Sequence, residues 1–101
     1  THSSLGNLEK ALQFYEERSK LGKELYESNP NNVSYKNGLA ISYAKLAIFY
    51  NAQDDKKLAI DYMREAQVLF KQLHNNFPTY VEFEKYYKMA VDDLEDLIKG
   101  Q

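Results

Sequence analysis

Between Leu39 and Tyr50 the chain reads LAISYAKLAIFY, and only Ser42 and Lys45 interrupt a run that is apolar on nearly every side. As a helix, this stretch has so narrow a polar stripe that neighbours must cover it from several directions. It predicts a helix from about Asn32 to about Tyr50 in the middle of an all-α domain. The two prolines, Pro30 and Pro78, stand at the ends of the flanking helical patterns, because proline cannot continue a helix.

Before Pro30, apolar residues at Leu8, Ala11, Leu12, Tyr15, Leu21, Leu25 and Tyr26 recur every three or four positions. They predict a first helix from Asn7, its N-cap, to Ser28. Asn51 to Asp55 reads as a turn in which Asp54 or Asp55 accepts the free N–H groups of the next helix. That third helix spans Lys56 to Asn75, with Leu58, Ala59, Tyr62, Met63, Ala66, Leu69, Phe70 and Leu73 inward. Thr79 precedes Glu82 by three, the spacing of a capping box, and so starts a fourth helix. It carries Val81, Phe83, Tyr87, Ala90, Val91, Leu94, Leu97 and Ile98 inward. No segment alternates with the period of two that a half-exposed strand requires.

At 101 residues the chain is one small domain or a slice of a larger one, and a chain of this size buries roughly two-thirds of its unfolded surface. With 44% hydrophobic residues, nine Tyr and five Phe, it is too apolar for a disordered chain. The absence of cysteine removes disulfides and thiolate chemistry and fits a reducing compartment. A net charge of −2, with lysines dispersed among acids, argues against nucleic acid as partner. No apolar run approaches the ~18 residues of a membrane span, and no signal-peptide pattern opens the chain. The expected setting is cytoplasmic, without membrane contact.

Sliding the chain on itself by 48 residues pairs Ala11 with Ala59, Tyr15 with Met63, Leu21 with Leu69, Leu25 with Leu73, Pro30 with Pro78 and Leu46 with Leu94. Helices one and three are then one element, and helices two and four the other. Tyr43, Leu46, Ala47 and Tyr50 fall on the W-x₂-L-G-x₂-Y spacing, and Ala59 and Met63 on the following A-x₃-F. This resembles a tetratricopeptide repeat, with Trp and Gly replaced by Tyr43 and Ala47. It looks most like the long-period variety found in bacterial multidomain proteins. The usual period is about 34 residues, and the excess comes as two blocks of about seven, close to two helical turns each, so the buried faces stay in register.

The resemblance implies an antiparallel helix-hairpin repeat, a fragment of an α-solenoid with four long helices. Residues 7–28 form a second-type helix, 32–75 a full repeat and 79–99 a C-terminal capping helix, whose Glu95 stands where Ala47 does. The chain then reads as the C-terminal end of a longer array, able to form homodimers or swap helices in isolation. It also implies a non-enzymatic scaffold that holds a peptide or helix of a partner on a concave face. That face would present Ile41, Ala44, Lys45 and Ile48, then Met89, Asp92, Asp96 and Lys99. Family members that clamp a C-terminal carboxylate use Lys and Asn where this chain has Ala44 and Ile48, and Asp92 and Asp96. An apolar floor with an acidic edge therefore suits apolar or basic segments.

The alternative is a free-standing four-helix bundle that binds a small ligand in its core or self-associates as an oligomerisation module. It would need polar residues facing inward from several helices, and almost none are found. No catalytic, metal or cofactor site is expected. His74 reads as a helix C-terminal residue satisfying carbonyls, with no second histidine at ligand spacing. His2 belongs to a frayed terminus. Asp92, Asp93, Glu95 and Asp96 lack the glycine and alternating oxygens of a calcium loop. The serines have no histidine partner, and the four glycines stand alone. Most tyrosines fall on inward positions, leaving Tyr35, Tyr80 and Tyr86 as candidate contacts.

Overall fold

The computed structural model describes residues 2–100; the side chains of residues 2–6 and of Leu8 lie outside the described set. Four α-helices follow one another: α1 His2–Ser28, α2 Val33–Ala52, α3 Lys56–Asn76 and α4 Val81–Lys99. The fold is all-α, built of antiparallel helix hairpins joined by turns of four residues or fewer. The ends of α1 and α3, Ser28 and Asn76, lie 48 residues apart, as do the starts of α2 and α4, Val33 and Val81. The interval read from single residues thus recurs at these two pairs of boundaries.

Two caps follow the sequence. Asn32 Oδ1 accepts from the Tyr35 N–H at 3.1 Å, and Asp55 Oδ1 from the Leu58 N–H at 3.2 Å. Asp54 takes the turn, at a φ of 64° that short polar side chains tolerate. The caps expected at Asn7 and Thr79 do not form. Helix α1 already starts at His2, so Asn7 lies inside it, where it costs only a fraction of a kcal/mol relative to Ala. At α4 the N-cap is Tyr80 rather than Thr79, with no side-chain capping bond. The Tyr80 ring sits against Phe77 and Phe83, with centroids 5.8 and 5.5 Å away, and this aromatic contact sets the entry of the chain. Glu82 and Glu84 in the first turn complement the helix dipole instead.

Each helix packs on its neighbours in the chain: α1 on α2, α2 on α3, α3 on α4. Among the described residues α1 and α4 share no packed interface, so the ring of an up-and-down bundle is not closed there. The result is a slab of 45 × 32 × 20 Å. Its centre is the α2–α3 contact, where Ala40, Ala47, Ala59 and Ala66 are all wholly buried. Small side chains there let two backbones approach closely while Leu46, Met63 and Leu73 fill the surrounding space. An Ala59→Leu substitution overpacks this contact and is expected to cost about 1–3 kcal/mol in a urea melt.

Tyr62 of α3 lies between Tyr43 and Tyr50 of α2, with centroids 5.8 and 5.7 Å away and the Tyr50 ring nearly parallel to it. The Tyr50 hydroxyl donates to Glu16 Oε1 of α1 at 2.9 Å, tying three helices together. Burial and this bond push the Tyr50 phenol up to about 12. On α1 the counterparts of the covered Tyr62 and Leu69 are Phe14 and Leu21, and both are exposed. Leu21 therefore leaves the inward set that its spacing suggested, because α2 occupies a different flank of α1. Leu58, Val81 and Ile98 are likewise exposed, while Ile60 joins the core. His74 makes no carbonyl cap; its ring stacks on Tyr87 at 6.1 Å, and the Phe77 N–H closes the helix on Leu73 O.

Candidate functional site

Because α2 and α4 both run antiparallel to α3, they lie parallel to each other with α3 behind them. Between them is a trough. Its middle is a cavity of about 140 Å³ with Met63 and Phe70 of α3 on the floor, Ile41, Ala44, Lys45 and Ile48 on one wall, and Tyr86, Met89, Ala90 and Asp93 on the other. Ile48 and Met89 are 59% and 51% exposed, so two large apolar side chains stand at the lips rather than in the core. An apolar cleft with apolar lips gains by covering that surface with another chain.

The trough extends both ways. Toward the C-terminal ends of α2 and α4 it meets a cavity of about 290 Å³, which shares Ile48, Met63 and Asp93 and adds Asn51, Lys56 and Asp96. Lys56 Nζ donates to Asn51 Oδ1 there. Burial, then the neighbouring Asp96 and Asp92, hold the Asp93 carboxyl above the usual range. Toward the N-terminal ends lies a cavity of about 450 Å³ lined by Val33, Asn37, Tyr80 and Val81 among others. Asn37 sits on the Ile41 stripe, and its Oδ1 is buried without a hydrogen-bond partner. From Val33 to Asn51 the trough follows α2 for roughly 27 Å at 1.5 Å per residue.

Of the eight residues carried over from the family, Ile41, Ala44, Lys45, Ile48 and Met89 line the middle of the trough. Asp96 lines its acidic end. Asp92 and Lys99 are exposed on α4 and border none of these cavities. A trough between two parallel helices is walled by the forward flank of one and the rear flank of the other. A shift of 48 from α2 therefore does not name Tyr86 and Ala90, on the rear flank of α4, whereas Asp93 is the counterpart of Lys45 and was passed over in favour of Asp92. Those three were missed, although the 86, 89/90, 93 and 96/97 spacing of one α4 stripe was readable. Tyr86 and Tyr80 do border the trough; Tyr35 does not. Among the described residues no three His, Cys, Asp or Glu side chains converge as a metal site, and no helix is long and apolar enough to cross a membrane. Compared with protein-family models, curated proteins and solved structures, the chain gives no match.

Proposed function

We propose that this chain is a non-enzymatic interaction scaffold of tetratricopeptide-like construction, which holds an apolar segment of a partner protein in the trough between α2 and α4. The observation that carries this reading is the paired exposure of Ile48 and Met89 over a floor of Met63 and Phe70. The 48-residue spacing of helix ends and the chain-order packing support a repeat array, and the open slab favours a docking groove over a ligand-filled bundle core. Asn37 Oδ1 offers an acceptor to a partner's backbone or side-chain donor along the same stripe.

The test is selection of random twelve-residue peptides displayed on phage against the full chain. Wild type is expected to enrich peptides rich in apolar residues. Ile48→Glu, which places a carboxylate on the lip, should weaken those peptides at least tenfold with an unchanged thermal melt, since the site is exposed. Retained affinity in that variant overturns the trough as the binding surface.

A further inference from the structure

The trough has a smaller counterpart on the other flank of α2. Between α1 and α2 a cavity of about 100 Å³ is bordered by Tyr15, Gly38, Ile41, Ser42 and Lys45, together with Phe14 and Arg18. Forty-eight residues later, Met63, Tyr86, Met89, Ala90 and Asp93 all border the main trough. The same cleft is thus built twice, once on each side of the α2 ridge. Its charge differs between the copies: Lys45, on the α2 ridge, borders both clefts, whereas its counterpart Asp93 borders the second alone and Arg18 the first alone.

Each charge has company of its own sign. Arg18 joins Lys45, its guanidinium lying 5.3 Å from the centre of the Phe14 ring, and Asp96 stands beside Asp93. The one ion pair among the described residues is Lys88 with Glu84, so none of these four groups is neutralised in that way. Lys56 shares the acidic cavity but donates to Asn51. Ile41 borders both clefts, while Ile48 and Met89 stand over the second. We infer, on the reading of the trough as a partner-binding surface, that the occupant is an extended segment lying across α2. It places an acidic side chain at Arg18 and Lys45, apolar side chains over Ile41, Ile48 and Met89, and a basic side chain at Asp93 and Asp96.

The width of a helix sets the spacing. Crossing one ridge takes on the order of 10 Å, which an extended chain covers in about three or four residues. A helix rising 1.5 Å per residue would need about seven. Opposite charges on the partner match opposite charges on the protein, which fixes register and orientation more than it adds affinity.

The peptide selection tests this when read for charge. Wild type should enrich one acidic and one basic residue three or four positions apart around apolar residues. Lys45→Glu should shift the selected pool to basic residues at both positions, and Asp93→Lys to acidic residues at both. Combining the two should restore the mixed pattern. Each single reversal should weaken a peptide selected on wild type at least tenfold, while Asp93→Asn, a milder change at this half-buried site, should weaken it by less. Apolar peptides without a charge pattern, still lost on Ile48→Glu, would overturn this inference and leave the trough standing. Charges seven apart would overturn the extended occupant. A pool with no enriched peptide would overturn both readings.

Discussion

Ala40→Lys should lose about 3–5 kcal/mol, the usual consequence of an uncompensated buried charge, whereas Lys88→Ala should change stability by no more than about 0.5 kcal/mol. The two positions lie 48 residues apart, so each substitution installs the residue found at the other. Ala40 is wholly buried in α2 within the cluster that includes Ala47, Ala59 and Ala66. An ammonium there must either leave water unpaired or force α2 and α3 apart, and both routes are costly. Lys88 is 70% exposed and pairs with Glu84 one turn away at 2.9 Å, a surface contact of small worth. A domain of this size is stable by roughly 5–15 kcal/mol, so Ala40→Lys removes a large share and should appear as a much lower urea midpoint with an unchanged slope. Equal effects of the two substitutions would mean that the faces of α2 and α4 are equally covered, against the open slab.

The contrast between α2 and α4 explains what was legible in the amino-acid sequence. Helix number, type and order follow from apolar spacing and from Pro30 and Pro78, because long amphipathic patterns and prolines act locally. The cap at Asp55 was equally local. Thr79 failed because an aromatic cluster of Phe77, Tyr80 and Phe83 competes with a single side-chain bond, and such clusters form only in three dimensions. Asn7 failed because nothing in the preceding residues stops a helix and its own penalty is slight. Leu21, Val81 and Ile98 keep the helical spacing of buried residues and yet lie exposed. Spacing tells which residues share a stripe, while the neighbour that covers the stripe is decided by packing. The trough obeyed the same limit. Ile41, Ala44, Lys45, Ile48 and Met89, named by analogy, border it, whereas Asp92 and Lys99 do not, because a fixed interval maps one flank of α2 onto the same flank of α4 while Tyr86 and Ala90 stand on the other.

Leu73→Ala should lower stability by about 2–5 kcal/mol, and Leu25→Ala, 48 residues earlier, by about 1 kcal/mol, the smaller transfer loss of a half-buried side chain. Leu73 is wholly buried near the end of α3, among the residues where α2 begins and α3 ends, and its carbonyl receives the closing Phe77 N–H. Truncating it leaves a cavity that Leu69, Phe70 and Phe83, themselves held in the core cluster, have little freedom to collapse into. Leu25 occupies the same place at the end of α1 but is only half-buried. The difference is topological: among the described residues α3 is covered by α2 on one side and α4 on the other, whereas α1 packs on α2 alone. For a domain of about 100 residues each kcal/mol shifts the melting temperature by roughly 4–8 °C, so Leu73→Ala should melt at least 8 °C lower and Leu25→Ala only a few degrees lower. Equal losses would require α1 to be enclosed as α3 is. The open face beside Phe14 and Arg18, on which one end of the partner segment is placed, would then be absent.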